Sequence, residues 1–213
     1  THATEAYTSN FANDYTDGIA LQTIKLVFQY LEKSVKTADP EAREKMHNAS
    51  TMAGMAFANA FLGMSHSMAH KIGGVHHTVH GRTNAILLPY VIRYNGTRPS
   101  KTTTWPKYNY WKADEKFQDI AKMLGLPHST PEEAVEAYAK AVYDLGVAVG
   151  IKMNFKDQGI DEKTWKDSLH EIALLAYEDQ CSPANPRLPM VADMEEIMAD
   201  AYHGYAKKPG RRK

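Results

Sequence analysis

Apolar residues recur along most of the chain at spacings of three and four, the period of a helix with one buried face. Ile24, Val27, Phe28 and Leu31 form one such stripe, and Phe117, Ile120, Ala121 and Leu124 form another. Ala134, Val135, Tyr138, Val142 and Leu145 repeat the pattern, as do Met190, Met194, Ile197, Met198 and Ala201. Trp165, Leu169 and Ile172 point inward from a further run. Start signals fall where the stripes need them. Asp39-Pro40 is a cap followed by proline at the first helical position, Thr130-Pro131-Glu132-Glu133 reads as a capping box, and Asp161 caps the Trp165 run. The run launched at Asp39 passes through Met46, Met52, Met55 and Phe57 and carries a small face of Ala53, Ala56 and Ala60. Small residues allow close approach of neighbouring backbones, so this helix is expected to be central and buried. Thr1 to Phe11 holds helix formers without a start signal. There is no convincing strand set, internal repeat or Gly-rich phosphate loop. The expected fold class is all-α.

Two irregular stretches interrupt the helices. Thr97 to Trp111 is polar and aromatic, and too long for an ordinary connection. Asp179 to Pro189 carries three prolines. Lys207 to Lys213 reads as a solvated basic tail after a domain spanning 1–206. The Met-rich stripes read as core filler.

Composition narrows the class further. A chain of 213 residues with 43% hydrophobic content suits one sizeable core. Lys+Arg and Asp+Glu balance at 25 each, so nothing points to nucleic acid or an acidic membrane surface. The single cysteine, Cys181, rules out an internal disulfide framework and fits a reducing cytoplasm. No apolar run approaches membrane-spanning length, and no signal peptide is seen. The chain opens in mid-pattern at Thr1-His2-Ala3-Thr4-Glu5-Ala6-Tyr7, which predicts a piece of a longer polypeptide.

The chemistry concentrates in Ser65 to Gly81, where five of the ten histidines fall. His66 and His70 are four apart and share a helix face. Gly73-Gly74 is expected to stop that helix, and His80-Gly81 to open the next, Arg82 to Tyr94. Helix, turn, helix can return His80 towards His66. Neutral imidazole is the commonest side-chain ligand for zinc, iron and copper, so the stretch predicts a metal site. His76 is expected to be exposed, and His47, His128, His170 and His203 to be ordinary histidines.

Ser65 to Gly81, continued by Asn84 to Asn95, resembles the signature of the iron-containing alcohol dehydrogenases. His66, His70, His80 and Gly81 match that family's His-x3-His-x9-His-Gly pattern. Thr1 to Tyr7 resembles the end of its Asp-x3-His-Ala-x-Glu-Ala-Tyr motif, and Ala49 to Gly63 and Asp179 to Pro189 match as well. The aromatic segment around Trp105 to Trp111 and the Asp-Gln-Cys run are most similar to the alcohol-dehydrogenase half of the bifunctional aldehyde-alcohol dehydrogenases. Val79 stands where many relatives have proline before the last histidine.

The resemblance implies an all-helical C-terminal domain of the dehydroquinate-synthase-like type, with the nucleotide-binding domain N-terminal to it. It implies His2, His66 and His80 as metal ligands, with a fourth, an Asp, at a position before Thr1. It makes His70 the non-ligand histidine beside substrate and nicotinamide, Phe57 a wall of that pocket, and Cys181 a residue at its edge. The implied cofactors are Fe(II), with Zn(II) favoured by affinity alone, and NAD in the intact protein. The implied reaction interconverts a short-chain aldehyde such as acetaldehyde and its primary alcohol such as ethanol. The implied partners are these small molecules, the nucleotide-binding and aldehyde dehydrogenase domains of a parent chain, and further copies in an oligomer or filament. On its own the chain is expected to fold without activity. Two other readings stand beside this one: a metal-dependent hydrolase, for which no His-Glu-x-x-His element is present, and a non-catalytic assembly module.

Overall fold

The computed structural model describes residues 1–99 and 111–204. Among these, helix follows helix: α1 His2–Thr8, α2 Asp14–Lys36, α3 Pro40–Ala60, α4 Met64–His76, α5 His80–Gly96, α6 Ala113–Met123, α7 Pro131–Ala148, α8 Glu162–Tyr177 and α9 Val191–His203. A 3₁₀ turn, Ser182–Ala184, lies in the irregular stretch before α9. No strand occurs among the described residues, and no described helix is long and apolar enough to cross a membrane. The aromatic stretch of 100–110 and the basic tail of 207–213 lie outside the described residues.

The capping signals work as chemistry predicts, with one difference. Asp39, Thr130 and Asp161 each accept a backbone N–H from the first turn of α3, α7 and α8. Glu133, however, reaches past the cap residue and accepts from the N–H of Ser129 at 2.7 Å, so the box closes one residue early.

Two apolar clusters form the interior. One joins α4, α5, α8 and α9 around Met68, Leu87, Trp165, Ile172 and Met198, together with Met153 and Phe155. The other joins α1, α2, α3, α6 and α7 around Ala6, Ile24, Phe117, Ile120 and Tyr138. Helix α5 serves both, giving Ile86, Leu87, Tyr90 and Val91 to the first and Leu88 and Ile92 to the second. A helix that is apolar all round belongs inside. The central helix is therefore α5, not α3 as the alanine face suggested. Helix α3 buries only that face (Ala42, Ala49, Ala53, Ala56 and Ala60), chiefly against α1 and α2, while Met55 stands 56% exposed. Small residues there mark one close contact, and the charged opposite face keeps the helix at the edge.

Helix α5 also holds Pro89 in its interior, where one intrahelical hydrogen bond is lost. At its end, Gly96 meets α7 so closely that a Cβ there would lie 2.4 Å from Val135 Cγ2.

Candidate metal centre

The sequence places the histidines on two helices that the fold sets side by side, α4 and α5, with α1 laid across their origin. Helix α4 does not stop at Gly73-Gly74. It runs through both glycines to His76, and the left-handed residue is His77, at φ 53°. The last turn is held from outside. The His76 ring lies 5.2 Å from that of Trp165, and its Nε2 is 2.9 Å from Ser168 Oγ. His76 is thus half-buried against α8 rather than exposed.

The N-terminus of α4 is satisfied by groups distant in sequence. Its cap residue, Gly63, has no side chain to accept the free N–H groups of the first turn. Asn185 Oδ1 accepts from Met64 N at 3.1 Å and Glu5 Oε1 from Ser65 N at 2.7 Å. Gly63 makes room for both: a Cβ there would stand 2.7 Å from Asn185 Oδ1 and 3.0 Å from Glu5 Oε1.

The second oxygen of Glu5 bears on the site. Oε2 lies 2.6 Å from His66 Nδ1, and both side chains are almost fully buried. Burial alone would raise the Glu5 carboxyl. Its hydrogen bond and charge attraction with His66, and the N–H groups of Gly63 and Ser65, hold it below its usual value instead. An ionised carboxylate only accepts, so a neutral His66 carries its proton on Nδ1 and leaves the lone pair on Nε2, the form a metal ligand needs. That Nε2 lies 3.2 Å from His2 Nε2. Two metal–nitrogen bonds of about 2.0–2.1 Å at the tetrahedral angle would set their nitrogens about 3.4 Å apart. Burial, then the neighbouring His66, pulls His2 down to about 4, so it is a neutral imidazole.

His80 completes the group more loosely. Its ring centre is 5.3 Å from that of His66, while its Nε2 accepts from the Asn84 amide at 3.2 Å. Burial, then the nearby His66 and His70, lowers its pKa. His70 stacks on His80 at 5.4 Å with 13° between the planes. Phe57 lies 4.8 Å from the His2 ring. Together His2 and Phe57 wall a cavity of about 430 Å³ that runs between α2, α3 and α7 past Val27, Phe28, Leu31 and Leu145. This cavity explains why only Ile24 of the first apolar stripe is buried in the core.

Cys181 falls with His70 in a group the spacing did not reveal. His70, Asp179 and Cys181 bring one ligand atom each within 4.8 Å of one another. A cation is already supplied there, for Lys71 Nζ lies 2.9 Å from Asp179 Oδ2. Burial and the Asp179 charge push the Cys181 thiol up to about 12, so it is a poor source of thiolate. Glu5 and Asp179 are the two site residues that the histidine pattern missed. Glu5 was within reach of it, three residues after His2 on one helix face. Asp179 meets His70 across 109 residues of chain, which no local pattern records.

Residues 1–202 match the family model described as the Fe-containing alcohol dehydrogenase family, C-terminal. The chain is 76% identical, over its full length, to an aldehyde-alcohol dehydrogenase of Streptococcus pneumoniae, of which it covers 24%. It is 40% identical over 96% of its length to the bifunctional aldehyde-alcohol dehydrogenase AdhE of Escherichia coli strain K12, again covering 24%. The chain thus spans about a quarter of the length of these curated relatives. A crystal structure of a 1,3-propanediol oxidoreductase superposes with a TM-score of 0.82 at 36% identity, over 95% of this chain and 49% of that one.

Proposed function

The chain belongs to the Fe-containing alcohol dehydrogenase family, and from that premise we propose that it is the metal-bearing domain of an NAD-dependent alcohol dehydrogenase. In this reading it works within a longer polypeptide whose nucleotide-binding domain lies N-terminal to it, as the quarter-length match to aldehyde-alcohol dehydrogenases suggests. The substrates are a short-chain aldehyde and its primary alcohol. The observation that carries the reading is the pair of facing nitrogens, His2 Nε2 and His66 Nε2, 3.2 Å apart, with the far side of His66 fixed by Glu5.

His2, His66 and His80 would hold a divalent ion, Fe(II) or Zn(II), since neutral imidazole suits either. When bound, the ion supplies a Lewis acid for the substrate oxygen, and nicotinamide supplies or accepts the hydride. The chain's own residues do the rest. Glu5 locks the His66 tautomer and raises its basicity as a ligand. Phe57 gives an apolar wall beside His2 that keeps water from the reacting carbon. His70, stacked on His80, takes a proton from the alcohol or returns one to it.

The test is metal analysis of the full-length polypeptide, with and without His66→Ala, beside an assay of NADH oxidation by ethanal. Stoichiometric iron or zinc and turnover in the wild type, both lost in the variant, support the reading. Turnover that survives in metal-free protein overturns it.

A further inference from the structure

We propose that Asp179 is a positioning residue that fixes His70 as the Nδ1–H tautomer and so presents Nε2 to the substrate hydroxyl. The inference rests on the reading of this domain as part of an alcohol dehydrogenase.

The Asp179 carboxylate is anchored on both oxygens. Oδ1 accepts from Cys181 N at 3.0 Å, while Oδ2 faces Lys71 Nζ at 2.9 Å and His70 Nδ1 at 3.1 Å. Its side chain is only 6% exposed, so the carboxylate itself is enclosed while its partners reach the surface. Burial alone would favour the neutral acid, but Lys71, the Cys181 N–H and His70 together hold the carboxyl below its usual value. An ionised carboxylate has only lone pairs to offer, so the proton of a neutral His70 sits on Nδ1. Nε2 then keeps its lone pair, and no hydrogen bond occupies it among the described residues. The His70 ring is one third exposed, stacked on His80 and edge-on to His66 at 6.1 Å, so the ring lies beside the metal-side histidines. Lys71 balances the charge of the Asp179 carboxylate. Cys181 contributes its backbone N–H to this arrangement, and its sulfur is not needed.

In alcohol oxidation the O–H bond breaks and its proton passes to Nε2. The C–H bond breaks with its electron pair, which moves as hydride to NAD⁺, leaving aldehyde and NADH. The imidazolium then gives its proton to solvent at the exposed edge of the ring. Reduction runs the same transfers backwards.

The experiment compares Asp179→Asn, His70→Ala and the double variant in the full-length polypeptide, reading kcat, KM for ethanol and metal content. Asp179→Asn should keep its metal and its KM within about twofold while kcat falls about 10- to 100-fold, the range of a lost orienting partner. In the His70→Ala background the same change should add less than about twofold, because Asp179 acts through His70. Asp179→Glu keeps the charge beside Lys71 and carries the same comparison should the Asn variant fail to fold. It should lower kcat about tenfold alone and leave His70→Ala unaffected. Full kcat in Asp179→Asn, an undiminished effect in the His70→Ala background, or loss of metal would each overturn the inference. A wild type without alcohol dehydrogenase turnover would overturn the proposed function itself, a separate result.

Discussion

Glu5 Oε2 lies 2.6 Å from His66 Nδ1, while the other oxygen of the same carboxylate caps the helix that His66 stands on. One buried acid therefore sets both the direction of α4 and the tautomer of its first histidine. Replacing it with Gln keeps an acceptor but removes the charge. Glu5→Gln should lower metal affinity about 10- to 100-fold, measured by chelator competition, with little change in the helical melt. Glu5→Ala, which strands the buried N–H of Ser65, should also cost about 1–3 kcal/mol of stability. Equal metal affinity in wild type and Glu5→Gln would count against the ligand set.

His80→Ala should abolish alcohol dehydrogenase turnover in the full-length polypeptide through loss of metal, and leave any aldehyde dehydrogenase half active. Atomic emission on the purified variant reads the metal directly. Full metal content with full turnover would remove His80 from the ligands.

Cys181 should resist alkylation. With its thiol raised from 9.0 to about 12, the thiolate fraction at pH 8 is about 10⁻⁴, against about 10⁻¹ for the unshifted group. The direction is set by burial, so the native rate with iodoacetamide should climb with pH up to about 12, and urea should restore an ordinary rate at pH 8. Rapid labelling of the folded chain at neutral pH would contradict the burial of this thiol.

Gly96→Ala should destabilise the domain by about 1–3 kcal/mol, because its new methyl meets Val135 where α5 crosses α7. Val135→Ala in the same chain should recover much of that loss. Thermal melts of the two single variants and the pair make the comparison. Additive losses would show that the close approach is not what Gly96 serves.

Much of this was legible along the chain, for physical reasons that differ by element. Stripes and caps are local, so α2, α6 and α9 followed from spacing, and α7 and α8 from spacing together with Thr130 and Asp161 before the first turn. The histidines were legible because a four-residue step and a turn can be read in order. The end of α4 was not, because Gly73-Gly74 only permits a stop, and the packing of His76 on Trp165 carried the helix on. The centrality of α5 was hidden for a similar reason. Alanine in α3 and mixed aliphatics in α5 both signal contact, and only the assembled fold shows which helix is enclosed. Asp179 and Asn185 act across gaps of 109 and 121 residues, where sequence carries no geometric trace.

The sharing of α5 between two apolar clusters bears on how the domain comes apart. Two clusters on separate elements could open independently, as distinct cooperative units. Here the side chains from Leu87 to Ile92 pack into both, so the amides of that run, Pro89 having none, should exchange with solvent only when the whole domain opens. Loosening either cluster also moves the first two turns of α5, where His80 and Asn84 sit. Occupancy of the ion site and global unfolding are thus thermodynamically linked, and a ligand that grips His80 raises the melting point of α8 and α9 without touching them.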